Sequence, residues 1–156
     1  MKKVKYKVQF DFYGTVYNQQ YWNGCKEILN QLPLNIQAEY KGEIENRKVS
    51  ETLKQYHFML MPTLGENFGH IIIESLDAGC PVIISDKTPW KNLEEKKIGW
   101  DIPLNEKEKF IEVIERCAEM NNEEYNQWSK NAFNFAKEFQ NNSSAVEQNR
   151  NLFLFA

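Results

Sequence analysis

The chain has 156 residues, 42% of them hydrophobic and 26% charged, with a formal net charge of −3. That length fits one domain able to bury its own core without disulfides or metal, and it leaves no room for two full domains with a cleft between them. The mild acidity argues against nucleic acid or an anionic membrane as the main partner, because both demand a clustered excess of Lys and Arg.

Residues 5–11 alternate, with Tyr6, Val8, Phe10 and Phe12 on one side and Lys5, Lys7, Gln9 and Asp11 on the other, which predicts a half-exposed strand stopped by Gly14. Tyr21, Trp22, Cys25, Ile28, Leu29 and Leu32 then fall on a helical stripe behind an Asn18 cap, and Pro33 closes it. A short strand over 36–40, a short helix over 49–55 and an apolar strand over 58–61 follow, the last ended by Pro62. A helix over 69–78 leads through Gly79 and Pro81 into Val82, Ile83 and Ile84, a run suited to a strand buried on both faces. After an extended piece over 99–103, one helix carries Phe110, Val113, Ile114 and Cys117 at core spacing. Another presents Tyr125, Trp128, Ala132, Phe135, Ala136 and Phe139. Strands alternating with helices predict an α/β fold, a Rossmann-like doubly wound parallel sheet over residues 1–140. Residues 141–156 read as a helical tail whose apolar end, 152–155, is expected to pack on its own domain or on a partner.

The charged start lacks the apolar run of a signal peptide, and no stretch approaches the roughly 18 apolar residues of a membrane span, so a cytoplasmic chain is expected. Cys25, Cys80 and Cys117 are far apart with apolar neighbours, which predicts buried reduced thiols. With only His57 and His70 besides, no metal site is expected.

Residues 61–85 carry the chemistry. A buried strand ends, a glycine-bearing turn follows, and a helix begins near Phe68 or Gly69, so unpaired N–H groups and the helix dipole form a place suited to phosphate. Gly69 permits close approach to the backbone. Glu66 sits on the turn, at the carboxyl end of a strand, where ligands of open α/β sheets bind. Glu74 lies about one and a half turns into the helix, and its carboxylate can accept two hydrogen bonds from vicinal hydroxyls. His70 fits either a phosphate contact or a local structural role. Trp90 and Trp100 fit either the core or a sugar platform, and His57 marks the entry to the strand that follows it.

Glu66 and Glu74, separated by seven residues and followed by Ala78-Gly79-Cys80-Pro81-Val82-Ile83, resemble the E-x7-E motif of the retaining GT-B glycosyltransferases of family 4, the group 1 glycosyltransferases. The close match covers about twenty residues. Coarser similarity runs from near Val8 to about Ala136, including Tyr40-Lys41-Gly42-Glu43 and the loop over 85–90. The resemblance implies the donor-binding C-terminal half of a GT-B fold, beginning at the family's second strand and so lacking the first βα unit. It implies a nucleotide diphosphate sugar as substrate, no cofactor, no catalytic metal, and transfer to an acceptor hydroxyl with retention, commonly in polysaccharide assembly. By position, Glu66 contacts the transferred sugar and Glu74 the ribose. The backbone at Phe68, Gly69 and His70 holds the diphosphate, and Gly42 and Glu43 flank the base.

Two departures accompany the match. No position corresponds to the family's Arg and Lys that neutralise the diphosphate, with Lys41, Lys87 and Lys91 as partial substitutes or as ordinary solvated lysines. The N-terminal GT-B domain, which supplies acceptor contacts, is not in the sequence. The expectation is a chain inactive alone, partnered by such a domain or by a separately encoded half. The alternative is a non-catalytic nucleotide-sugar binding or interaction module.

Overall fold

In the computed structural model, which describes residues 4–141, strands and helices succeed one another as β1 (Val8–Tyr13), α1 (Gln19–Leu29), β2 (Ile36–Gly42), α2 (Asn46–Leu53), β3 (Met59–Met61), α3 (His70–Asp77), β4 (Val82–Ser85), β5 (Gly99–Ile102), α4 (Lys107–Glu119) and α5 (Asn122–Asn141). All strand pairing is parallel, β1 with β2 and β3-β4-β5 in that order. Parallel neighbours need long crossovers, and the helices supply them.

The centre of the fold is β4, buried along its whole length. Its side chains alternate between two clusters. Val82 and Ile84 pack with Ile72, Ile73 and Leu76 of α3, Ala132 and Ala136 of α5, and Trp90, Leu93 and Ile98. Ile83 points the other way, into Trp100 and Ile102 of β5, Val113 and Ile114 of α4, and Trp128 of α5. The Trp100 and Trp128 rings stack there with centroids 4.3 Å apart. Helices thus cover both faces, as a strand buried along its whole length requires, and each fully buried aliphatic side chain contributes about 1.5–3 kcal/mol. The expected doubly wound α/β architecture is present, and Trp90 and Trp100, at 7% and 2% exposure, belong to its core.

Among the described residues the sheet comes in two sections, with no ladder between β1 and β3. Side chains join them. Val8 and Phe10 pack against the cluster around Ile83, as do Phe58 and Leu60. On the opposite face the Tyr56 hydroxyl donates to Asp11 Oδ2 at 2.5 Å, and the Tyr13 and Tyr56 hydroxyls lie 2.8 Å apart. Burial opposes ionisation of Asp11, but the hydrogen bonds from Tyr56 and Gln9 and the nearby Lys41 ammonium outweigh it and hold the carboxyl below its usual range.

Three elements differ from expectation. The first strand starts at Val8 rather than residue 5. Before it, the Lys5 amide donates to Glu115, the Tyr6 hydroxyl donates to Glu119, and the Asn35 amide bonds the Val4 and Tyr6 carbonyls, all of which compete with a ladder. Helix α1 has its Asn18 cap, which accepts from the Tyr21 amide at 2.9 Å, yet it buries no residue. Its stripe accompanies the two-stranded section, so Tyr21 and Ile28 stay 75% and 65% exposed. Helix α2 begins at Asn46, where Arg47 and Lys48 both bind the preceding Glu45 carboxylate, at 2.6 and 2.8 Å. The cysteines are free thiols. Cys80 is buried while Cys25 and Cys117 are half-buried; desolvation pushes the Cys80 thiol up to about 11 and the Cys117 thiol up to about 12. The apolar end at 152–155 lies outside the described residues.

Two outcomes follow from this packing. A Cβ added at Gly99 would sit 2.1 Å from the Val82 carbonyl oxygen, so Gly99→Ala is expected to cost roughly 2–3 kcal/mol in urea unfolding. Because the folded-state pKa of Asp11 is depressed, its contribution is complete at neutral pH and fades as pH falls through the folded value. Tyr56→Phe is therefore expected to lose about 1.5–3 kcal/mol at pH 7 and distinctly less at pH 3, measured by the same unfolding at both pH values.

Candidate functional site

The loop over 62–69 leaves the carboxyl end of β3, and the loop over 86–90 leaves the carboxyl end of its neighbour β4. Three hydrogen bonds fasten one to the other. Ser85 Oγ donates to the Thr63 carbonyl at 2.5 Å, the Glu66 amide donates to the Lys87 carbonyl at 3.0 Å, and Trp90 Nε1 donates to the Phe68 carbonyl at 2.5 Å. Thr63 Oγ1 also bonds the Gly65 backbone, tightening the turn. The Glu66 backbone is therefore fixed although its side chain stays in solvent.

Gly69 is the N-cap of α3 in a left-handed conformation, φ 75° and ψ 63°, and its carbonyl accepts from the Ile72 amide at 2.8 Å. With no side chain there is no cap hydrogen bond. The first amides of α3 thus keep their donors for a ligand, and the positive end of the helix dipole lies beside them. Deeper in, α3 buries Ile72, Ile73, Ser75 and Leu76, and the Ser75 hydroxyl ties the helix end to the Cys80 carbonyl at 2.8 Å. Glu74 occupies the opposite, exposed face.

Glu66, Phe68, Gly69, His70 and Glu74 are thereby gathered on one loop and one helix. Phe68 bridges the surface and the core: its ring lies 4.8 Å from His70, 5.6 Å from Trp90 and 6.2 Å from Phe139 of α5, centroid to centroid. Gly42, at φ 81°, and the exposed Glu43 sit at the carboxyl end of β2, in the other section of the sheet. Among the described residues no hydrogen bond or ion pair joins that pair to the Glu66 loop. His57, just before Phe58, meets the Tyr125 ring edge-on at 4.9 Å.

The lysines divide. Lys41 pairs with Glu39 at 2.6 Å and approaches Asp11 at 4.0 Å, within β1–β2. Lys87 and Lys91 belong to the loop clamped to Glu66. Lys87 pairs with Asp86 Oδ2 at 3.1 Å, and the Lys91 ammonium donates to the Asp86 carbonyl. Asp86 was not singled out by the sequence reading. Its Oδ1 is buried without a hydrogen-bond partner, directly after the apolar β4. A polar Ser85-Asp86 pair after the apolar run Val82-Ile83-Ile84 was the available signal. A separate cavity of about 380 Å³, lined among others by Lys97, Arg116, Gln127 and Trp128, includes none of the candidate residues. Among the described residues no group of three or more His, Cys, Asp and Glu is placed to hold a metal ion, and no helix is long and apolar enough to cross a membrane.

Parallel strands joined by helical crossovers, with Glu66 on the loop at the carboxyl end of β3 and Glu74 on the helix that follows, define an α/β fold of the doubly wound class. The sequence profile of the group 1 glycosyl transferases matches residues 1–135, and the chain belongs to that family. The fold is similar to the crystal structure of WaaG, a glycosyltransferase involved in lipopolysaccharide biosynthesis, with a TM-score of 0.59 over 86% of this chain and 18% identity. The chain spans 44% of the length of that structure. No curated protein is matched by the sequence.

The Gly69 geometry makes a direct prediction. A Cβ there would lie 2.7 Å from Ile72 Cδ1 and would also face the left-handed backbone penalty. Gly69→Ala is expected to cost roughly 1–2 kcal/mol by thermal or urea unfolding and to shift the amide resonances of residues 68–71.

Proposed function

We propose that this chain is the donor-binding part of a retaining glycosyltransferase, which moves a sugar from a nucleotide diphosphate sugar to an acceptor hydroxyl. One observation carries the reading. Glu66 and Glu74, both exposed, flank in sequence the start of α3, whose Gly69 cap makes no side-chain hydrogen bond, the one on the loop leaving β3 and the other on the helix. The helix amides offer fixed donors to a diphosphate, and each carboxylate offers acceptors to hydroxyl pairs.

In this reading Glu74 accepts hydrogen bonds from the ribose, Glu66 orients the transferred sugar, and the backbone at Phe68, Gly69 and His70 meets the diphosphate. Gly42 and Glu43 flank the base from β2. Stabilising a departing diphosphate is electrostatic work, and preorganised dipoles do it without reorganisation. Lys87 and Lys91 bring positive charge on the loop bonded to Glu66. No cofactor or metal enters. Membership of the group 1 family supports the reaction class, and the WaaG likeness supports the fold that hosts it. Acceptor contacts and the remaining cations come from an N-terminal GT-B domain or a separately encoded half, so the 156-residue chain does not turn over alone. The setting is cytoplasmic polysaccharide assembly, peripheral to the membrane through the full enzyme.

A second reading, a non-catalytic nucleotide-sugar binding module, has one observation in its favour. The Asp86 carboxylate pairs with Lys87 and its main-chain carbonyl accepts from Lys91, so both cations already have partners within the loop.

Titration of the ¹⁵N-labelled chain with uridine or guanosine diphosphate is expected to move the amide resonances of residues 66–74. Glu74→Ala should weaken binding about 10- to 100-fold, the equivalent of about 1.5–3 kcal/mol for a charge-assisted hydrogen bond. An unchanged spectrum at millimolar nucleotide contradicts the binding site. Sugar transfer to generic acceptors by the chain alone contradicts the half-enzyme assignment and the non-catalytic reading together.

A further inference from the structure

The geometry points to Trp90 as a positioning residue for the diphosphate turn, acting through the Phe68 carbonyl. This rests on the donor-site reading above and adds a residue to it.

The indole is buried to 7% exposure, and its one polar atom, Nε1, is spent on the Phe68 carbonyl at 2.5 Å. A buried N–H is costly to leave unpaired, so ring and carbonyl hold each other. That carbonyl belongs to the peptide linking Phe68 to Gly69, so holding it orients the Gly69 amide and the residue that enters α3. The same Nε1 lies 3.6 Å from where a Gly69 Cβ would stand, which places the indole edge under the turn itself. Gly69 is left-handed at φ 75°, and glycine has the widest choice of alternatives at such a position. Something outside the turn must select one conformation; besides Ile72 of α3 itself, the indole is the group that lies against Gly69.

The ring is anchored independently of the turn. Its centroid lies 5.2 Å from Phe139 and 6.3 Å from Phe135, both on α5, and its own amide donates to Thr88 Oγ1 at 3.3 Å. Phe135, Phe139 and Thr88 thus seat the ring in the core, while the N–H alone reaches the peptide before Gly69. Simple packing would need the ring but not the N–H. Positioning needs the N–H.

The test separates these two. The Trp90 side chain is replaced by its benzothiophene isostere, which keeps the ring and loses the donor, and Phe139→Leu disturbs the ring's packing while leaving the donor. Both proteins are titrated with uridine diphosphate by ¹⁵N NMR, and their thermal midpoints are measured. The isostere is expected to weaken nucleotide binding about three- to tenfold, to shift the Gly69 and His70 amides in the free protein and to speed their hydrogen exchange. Phe139→Leu is expected to lower the thermal midpoint with less than a twofold change in affinity. An isostere whose Gly69 and His70 resonances and exchange rates match the parent overturns the proposal.

If the parent chain binds no nucleotide, the donor-site reading fails, while those resonances and rates still decide the role of Trp90. Should neither substituted protein fold, the Trp90 indole resonance of the unmodified chain decides. Slow exchange with solvent supports the bond to Phe68, and exchange as fast as that of a free indole overturns it.

Discussion

Everything at the candidate site hangs from β4, a strand whose four side chains are all buried. Because Val82 and Ile84 pack toward α3 while Ile83 packs toward α4, the strand cannot shift by one residue without reversing both clusters. Its fixed register sets the height of its carboxyl end beside that of β3. Gly99 on the other neighbour permits the approach that closes this side of the sheet, since a Cβ there would strike the Val82 carbonyl.

From that end two loops emerge side by side, and their mutual hydrogen bonds turn a flexible glycine-bearing segment into a fixed one. The consequence is electrostatic. Fixed amides at the start of α3 and two carboxylates in solvent form a strip that alternates donors and acceptors over a few residues, which suits a ligand carrying phosphates between hydroxyl-rich sugars. Lys87 is paired with the Asp86 carboxylate and Lys91 with its main-chain carbonyl, so in the proposed reading the positive end of α3 is the main preorganised charge left for a diphosphate.

Much of this was legible in the sequence. Period-2 alternation and an apolar run identified β1 and β4, the Asn18 cap was readable from side-chain type, and the spacing from Glu66 to Glu74 singled out the loop and helix that the structure brings together. What was not legible depends on contacts between distant positions. The amphipathic stripe of α1 looks like a core face, yet Trp22, Cys25 and Leu29 are only half-buried and Tyr21 and Ile28 are exposed, because the two-stranded section beside it buries little. The break between β1 and β3 is invisible to local periodicity, since each strand reads normally by itself. Trp90 was ambiguous between core and sugar platform until its indole N–H was found on the Phe68 carbonyl, a bond spanning 22 residues.

The central claim is that a nucleotide lies across the start of α3 with its ribose toward Glu74. Intermolecular nuclear Overhauser effects between uridine diphosphate and the ¹³C,¹⁵N-labelled chain address it directly. The account predicts ribose-proton contacts to the Glu74 side chain together with phosphate-dependent shifts at Gly69 and His70. Contacts confined to the cavity lined by Lys97, Arg116 and Trp128 would contradict it.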